Sequence, residues 1–206
     1  MNFTDRAQVL IEAIPYIRSF YGKTFVIKYG GSAMLNEELK QAVILDLILL
    51  KYLGLNPVVV HGGGPEISSL LKRLGKETVF AHGQRVTDAE TMALVNMVLA
   101  GKINKEIVAL FNQLGGKAIG LSGQDGSLLV AKKKLLPGEE IDLGFVGEVE
   151  TIHTSLIHTL LEKSYIPVVA PVGVGRDGHF YNINADTVAG ELAGALKAEK
   201  LILLTD

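Results

Sequence analysis

Two glycine-rich turns, each between an apolar strand and a helix, constrain this chain more than any other feature. VIKYGGSAM (26–34) and PVVVHGGGP (57–65) both run from a β-prone stretch directly into adjacent glycines. Glycines let backbone N–H groups approach an anion closely, and the partial positive charge of a helix N-terminus adds to the attraction. One such turn is weak evidence, because any tight strand–helix connection can use glycine. Two turns that open at the same sheet edge favour an anion site.

Apolar strand-like segments alternate with helical patterns along the whole sequence. This alternation predicts an α/β fold, doubly wound, with a mostly parallel sheet and helices on both faces. Ligands bind at the carboxyl edge of such sheets. The predicted strands are 24–29, 57–61, 117–123, 166–170 and 201–206, and the predicted helices are 6–20, 37–53, one that Pro65 opens, 88–114, 154–163 and 185–198.

Local signals refine these boundaries. We expect Pro15 to bend or interrupt the first helix, and Asn36 and Asn184 to cap the helices that follow them. Thr87 with Glu90 predicts a capping box for the helix over 88–114. TVFAHGQRV (78–86) is typical of a hairpin, and so are SLLVAKKK and FVGEVETI around a polar excursion at 137–144.

Composition excludes several classes of function. The net charge is −2 and there is no basic block, so nothing indicates a nucleic-acid partner. The longest apolar run, residues 42–50, contains Asp46 and is too short to cross a bilayer, and the N-terminus lacks a secretory signal. The chain has no cysteine, and His153 and His158 lack the i, i+4 spacing of paired ligands, so we predict no protein-bound metal. We expect a cytoplasmic protein, or a plastid one if the source is a plant or alga.

Three polar positions stand near these turns. Lys28 at a strand end is either solvated or projects a cation toward the glycines. Arg85 before a helix start suits planar carboxylate binding, with a surface salt bridge as the alternative. Asp186, in YNINADTVAG (181–190), is either a first-turn helix residue or holds a lysine in position.

Taken together, VIKYGGSAM, VVVHGGGPEIS, GQRVTD, NINADTVAG and LILLTD resemble, in this order and over about residues 24–206, one branch of the amino acid kinase family. That branch acts on N-acetyl-L-glutamate. The resemblance implies a three-layer α/β/α sandwich and an enzyme that phosphorylates the γ-carboxylate of N-acetyl-L-glutamate with ATP and Mg²⁺. The product is an acyl phosphate, and the reaction is the second step of arginine biosynthesis.

The resemblance also assigns roles on the phosphate side of the site. Lys28 corresponds to the lysine that stabilises the phosphoryl group in transfer. Gly30 and Gly31 supply backbone donors to the phosphates. Asp186 organises the site by pairing with the catalytic lysines.

On the substrate side, the resemblance places Gly63 and Gly64 against N-acetyl-L-glutamate through their backbone. Arg85 grips the α-carboxylate, and Asn182 binds near the amino-acid part. His61 receives no proton-transfer role.

The family pattern suggests three regions. Residues 1–23 form an N-terminal helix for oligomerisation or regulation, similar to the hexameric, arginine-inhibited members. Residues 24–198 form the N-acetylglutamate-binding domain, and 199–206 begin an ATP-binding half that we expect to be truncated, so catalysis by this chain alone is doubtful. A dimer-based homo-oligomer with arginine as feedback inhibitor follows from the same likeness. Some members bind a PII signal protein, which no residue here indicates.

Two alternatives stay open. The chain could be another member of the family, such as a carbamate, glutamate or uridylate kinase, although GQRVTD beside NINAD argues against this. It could also be a non-catalytic fragment that binds N-acetyl-L-glutamate without turnover.

Overall fold

The computed structural model describes residues 3–34, 36–136 and 142–204. Its α-helices in these ranges are α1 (Phe3–Phe20), α2 (Glu37–Tyr52), α3 (Gly64–Arg73), α4 (Ala89–Asn96), α5 (Asn104–Gln113), α6 (Ser155–Glu162) and α7 (Ala185–Ala195). Its strands are β1 (Thr24–Tyr29), β2 (Asn56–His61), β3 (Phe80–Ala81), β4 (Gln84–Arg85), β5 (Ala118–Ser122), β6 (Leu129–Lys133), β7 (Gly147–Ile152), β8 (Ile166–Ala170), β9 (Val172–Gly175), β10 (Phe180–Asn182) and β11 (Lys200–Leu204).

The central sheet has five strands in the order β11-β1-β2-β8-β5. Every neighbouring pair is parallel, as the alternation of strands and helices predicted. In the register of β1 with β2, Lys28 lies opposite Val60 and Tyr29 opposite His61. Both glycine turns therefore leave the sheet side by side at its carboxyl edge.

Helices cover both faces of this sheet, which confirms the α/β/α arrangement. Alternate residues of β1 separate to opposite faces: Phe25 and Ile27 pack with α2, α3, α4 and α5, whereas Val26 packs with α6 and α7. This alternation follows from the two-residue period of a strand. Strands buried on both faces are mostly apolar, which accounts for the valines of β2 (NPVVVH) and β8 (IPVVA).

A second sheet, in the order β10-β9-β6-β7, packs on the α6–α7 side. The hairpin of β6 and β7 confirms the prediction for the segments flanking 137–144. Residues 137–141 of that excursion, like the last two residues of the predicted strand 201–206, lie outside the described residues. Strands β9 and β10 form a hairpin that the sequence analysis did not predict.

Two of the three predicted caps are confirmed. The side chain of Asn36 accepts from the Leu39 N–H at 3.0 Å, and that of Asn184 accepts from the N–H groups of Asp186 and Thr187 at 2.8 and 3.1 Å. The Thr87 capping box is wrong. Asp88 caps α4 instead, since its side chain accepts from the Thr91 N–H at 2.7 Å. The Thr87 hydroxyl donates to the Arg85 carbonyl.

The helical stretch predicted over 88–114 is interrupted in its hydrogen bonding. A π-helical segment, Met97–Ile103, joins α4 to α5. Such segments are frequent at functional sites. The predicted interruption at Pro15 is not found, since α1 is helical on both sides of the proline.

Candidate active site

A cleft of about 290 Å³ opens at the carboxyl edge of the central sheet. Its walls come from the turns after β1 and β2, the hairpin of β3 and β4, and the start of α7. Every residue predicted for the site lines it: Lys28, Gly30, Gly31, Gly63, Gly64, Arg85, Asn182 and Asp186. The structure thus brings together positions that lie up to 158 residues apart, from Lys28 to Asp186.

Lys28 and Asp186 form an ion pair across the cleft. The Lys28 Nζ lies 3.1 Å from the Asp186 Oδ1, and the lysine side chain is 13% exposed against 56% for the aspartate. The ammonium group also lies over Gly30, where a Cβ would come within 2.8 Å of Nζ. Glycine at position 30 therefore leaves room for the cation beside the turn.

The second glycine turn feeds directly into α3. Gly64 begins this helix, and Pro65, as predicted, stands in its first turn. A Cβ on Gly63 would overlap the ends of the Ile103 and Leu99 side chains in the π-helical segment, so a larger residue there would require these side chains to shift. The first N–H groups of a helix have no partner within it, and the N-terminus of α3 lies at the cleft, since Gly64 and Pro65 line it.

Arg85 is a buried cation held by neutral groups. It is 6% exposed, and its guanidinium donates to Ser68 Oγ at 2.7 Å and to the Gly64 carbonyl at 3.1 Å. It also lies 4.8 Å from the centroid of the Phe80 ring. Within the described ranges no carboxylate forms an ion pair with Arg85, so the salt-bridge alternative is wrong for these residues. Burial lowers the pKa of Arg85 from its ordinary value, yet arginine remains charged.

A hydrogen-bond chain connects Arg85 to Asn182. The Thr87 hydroxyl donates to the Arg85 carbonyl at 2.6 Å and accepts from Asn182 Nδ2 at 3.3 Å. Thr87 is fully buried. It therefore connects two residues that were predicted to contact the substrate.

His61 ends β2 one residue before the triple glycine and is fully buried. Its Nδ1 lies 2.8 Å from the Gly62 carbonyl, and its Nε2 lies 3.3 Å from Asn104 Nδ2. Burial lowers the pKa of His61 to about 4. The imidazole is therefore neutral at pH 7.

Gln84 and Leu99 are among the cleft residues that the sequence prediction did not include. Gln84 lines the cleft beside Arg85, and the Gln84 Oε1 is buried with no hydrogen-bond partner in the described part of the chain. Leu99 lines it from the π-helical segment. Gln84 stands in the motif GQRVTD, but nothing in a single sequence shows that its side chain or that of Leu99 faces the cleft.

Within residues 3–34, 36–136 and 142–204, no group of three or more histidine, aspartate and glutamate side chains could hold a metal ion. No helix in the same ranges is long and apolar enough to span a membrane.

The fold and the cleft together define an α/β protein with a cleft at the carboxyl edge of its parallel sheet, lined by Lys28 and Arg85. The model of the amino acid kinase family matches residues 23–206, and the chain belongs to that family.

Curated relatives of the chain include acetylglutamate kinases. The chain is 61% identical to the acetylglutamate kinase of Moorella thermoacetica and 60% identical to that of Syntrophobacter fumaroxidans. Each alignment covers 98% of this chain and 70% of the relative.

Solved structures agree on the fold. N-acetylglutamate synthase from Neisseria gonorrhoeae, complexed with coenzyme A and N-acetyl-glutamate, superimposes with a TM-score of 0.84 at 25% identity. The chain is covered completely and spans 46% of that synthase. Carbamate kinase from Giardia lamblia superimposes with a TM-score of 0.62 at 16% identity, a likeness of fold alone.

Proposed function

We propose that this chain binds N-acetyl-L-glutamate in the cleft and serves phosphoryl transfer from MgATP to its γ-carboxylate, in arginine biosynthesis. The γ-carboxylate oxygen attacks the γ-phosphorus, the bond to the β,γ-bridging oxygen breaks, and ADP leaves with that oxygen. The product is N-acetyl-L-glutamyl 5-phosphate. The names of the relatives support this substrate.

The observation that carries the proposal is the state of Arg85. A buried guanidinium usually pairs with a carboxylate, because an unpaired buried charge is unfavourable. Here neutral oxygens hold the group, and the cleft lies beside it. A planar carboxylate in the cleft, such as the α-carboxylate of an N-acylated amino acid, supplies the missing counter-charge with bidentate geometry.

The chemistry needs no general base. A carboxylate is ionised at pH 7, so no proton has to leave the nucleophile. His61, neutral and turned toward Gly62 and Asn104, is accordingly not required for proton transfer.

The main obstacle is repulsion between the carboxylate and the triphosphate. Phosphoryl transfer depends on positioning and on countering charge that spreads over the equatorial oxygens. Lys28 and the backbone N–H groups of Gly30 and Gly31 are suited to this role because they line the same cleft. Asp186 holds the lysine in place by their ion pair.

Hydroxylamine trapping tests the reaction class directly. The chain would be incubated with MgATP, hydroxylamine and one acceptor at a time: N-acetyl-L-glutamate, L-glutamate, carbamate or UMP. Acyl phosphates react to hydroxamates, which iron(III) reveals by colour, and ADP release is followed in parallel.

We expect hydroxamate and ADP in equal amounts with N-acetyl-L-glutamate alone. Faster product formation with L-glutamate, or ADP release driven by carbamate or UMP, would replace the proposed acceptor. Absence of hydroxamate despite tight binding of N-acetyl-L-glutamate would leave a substrate-binding module and overturn the catalytic part.

A further inference from the structure

The second glycine turn contains a peptide unit that should be easy to flip. Gly62 and Gly63 flank it, and glycine tolerates backbone angles that other residues avoid. In one orientation this unit presents the Gly63 N–H to the cleft, and in the other it presents the Gly62 carbonyl. Only the first attracts an anion, so the turn needs something that fixes the peptide.

His61 is the group in contact with this peptide. Its Nδ1 lies 2.8 Å from the Gly62 carbonyl oxygen. A carbonyl only accepts hydrogen bonds, so the proton of the neutral ring belongs on Nδ1. The other ring nitrogen, Nε2, must then be an acceptor.

Asn104 agrees with this assignment from the other side. Its Nδ2 lies 2.9 Å from the Val168 carbonyl, and its Oδ1 accepts from Lys105 Nζ at 3.1 Å. Both contacts require that the amide NH₂ be the group that faces His61. The distance from Asn104 Nδ2 to His61 Nε2 is 3.3 Å. The amide has two hydrogens: one is directed at the Val168 carbonyl, and the second has His61 Nε2 and, at 3.4 Å, the Leu121 carbonyl as acceptors. Donation to Nε2, the shorter of these two contacts, agrees with a proton on Nδ1.

The orientation of the Gly62 carbonyl also determines the direction of the Gly63 N–H, because both belong to one peptide unit. The C=O and N–H of one planar trans peptide point in opposite directions. Since the Gly62 carbonyl points at the buried imidazole, the Gly63 N–H points away from it. The Gly62 N–H is held separately by the Tyr29 carbonyl at 2.9 Å. Gly63 lines the cleft, and its N–H has no acceptor in the described part of the chain.

We propose that His61 is a positioning residue that, oriented by Asn104, holds the Gly62–Gly63 peptide so that the Gly63 N–H meets an anionic oxygen of the ligand. This inference rests on the proposed function for the identity of that ligand, N-acetyl-L-glutamate. His61 acts on the ligand only through the backbone, since its ring contacts Gly62 and Asn104.

The first test needs no ligand. Long-range ¹H–¹⁵N correlation spectra of the imidazole distinguish the two neutral tautomers. We expect protonated Nδ1 and bare Nε2 for His61 at pH 7. Protonated Nε2 would overturn the inference, because the ring could not then donate to Gly62.

The second test uses two variants that differ in one donor. His61→Asn keeps a side-chain N–H at about the position of Nδ1, whereas His61→Leu fills similar space without a donor. The affinity for N-acetyl-L-glutamate is measured by calorimetry, with thermal unfolding as the check on folding. We expect His61→Leu to bind about 10- to 100-fold more weakly, the range for a lost hydrogen bond to a charged group. His61→Asn should remain within about threefold of the unmodified chain because its donor is retained.

The Gly63 amide proton gives a readout that a merely structural role would not move. On addition of N-acetyl-L-glutamate to the unmodified chain, this resonance should shift downfield, and in His61→Leu the shift should shrink. Equal affinity of a folded His61→Leu would overturn the inference. An unmoved Gly63 amide in the unmodified chain would also overturn it, and this result does not depend on the stability of the leucine variant. Failure of the unmodified chain to bind N-acetyl-L-glutamate would instead count against the proposed function, and the tautomer would still decide whether His61 holds the peptide.

Discussion

The lysine beside the first glycine turn is placed by two neighbours. Asp186 pairs with the Lys28 ammonium at 3.1 Å, and the missing side chain of Gly30 leaves room for it. The lysine precedes the glycines in sequence, unlike the lysine of a P-loop. The Lys28 ammonium still lies beside the glycine turn, because the side chain at the end of β1 extends along Gly30.

Replacing Lys28 tests its role in transfer. We expect Lys28→Met to slow hydroxamate formation by roughly 10²–10³, the usual effect of removing one group that stabilises transition-state charge. The affinity for N-acetyl-L-glutamate should change little, because Arg85 and the second glycine turn carry substrate binding in this account.

Lys23 offers a matched control for that substitution. It stands just before the opposite end of β1, outside the cleft, and pairs with Glu199 at 3.6 Å while 52% of its side chain is exposed. Lys23→Met should leave the rate unchanged. Equal rates for Lys28→Met and the unmodified chain would remove Lys28 from the mechanism.

His61 predicts a pH dependence of stability. Its pKa is lowered from 6.5 to about 4 in the folded chain, so the unfolded chain binds the proton first as the pH falls. The contribution of neutral His61 to the free energy of unfolding is therefore fully present above pH 6.5. It falls by up to about 1.4 kcal/mol per pH unit between pH 6.5 and 4. Urea unfolding across this range should show a shallower pH slope for His61→Asn, and identical slopes would contradict the burial of a neutral imidazole.

Sequence motifs located the cleft's charged residues better than its supporting ones. Lys28, Arg85 and Asp186 lie within recognisable motifs, and the fold brings them together. Thr87 was interpreted as a helix cap from its position before a helix. Its actual partner, Asn182, lies 95 positions away in the sequence. Local patterns contain no information about such a pair.

At the scale of elements, strand and helix order was predictable because each strand is a short apolar run and each helix has its own period. The π-helical segment at Met97–Ile103 was not predictable, because the apolar spacing around it is typical of a continuous α-helix. The hairpin of β9 and β10 was missed because each strand has only a few residues, and the turn residues Asp177 and Gly178 lie between them.

Helix α1 exposes a large apolar surface. The residues concerned are Val9, Leu10, Ile11, Ile14 and Tyr16, each between 48% and 69% exposed. From Thr4 to Ser19 no residue is buried in this chain. Exposed apolar surface of this extent is typical of an association surface. We therefore keep the prediction that α1 takes part in a homo-oligomer.

Light scattering after size exclusion tests this prediction. Leu10→Glu combined with Ile14→Glu places two charges one helical turn apart and should lower the measured mass. Ser19→Glu, an exposed polar position, is the control and should leave the mass unchanged. A monomeric unmodified chain, or a mass that the double substitution does not alter, would show that α1 has another role.

For the molecule as a whole, the parallel sheet decides where the chemistry can occur. All five strands of the central sheet point the same way, so the turns that follow β1 and β2 open on one edge. The buried layers of helices on both faces keep these turns in register. Although the net charge of the chain is −2, the cleft contains two basic side chains, Lys28 and Arg85, against one acidic side chain, Asp186, and it lies at the start of α3. We therefore expect an anionic substrate to be attracted by the local charges of the cleft rather than by the net charge of the chain.

The central claim is that this cleft binds N-acetyl-L-glutamate through Arg85, and calorimetric titration of the ligand into three chains tests it most directly. The unmodified chain should bind, and Arg85→Met should lose at least about tenfold in affinity, because a charged bidentate contact disappears. Arg176→Met should bind like the unmodified chain, since Arg176 pairs with Glu150 on the surface with 77% of its side chain exposed. Absence of binding by the unmodified chain, or equal affinities of the Arg85 and Arg176 variants, would contradict the account.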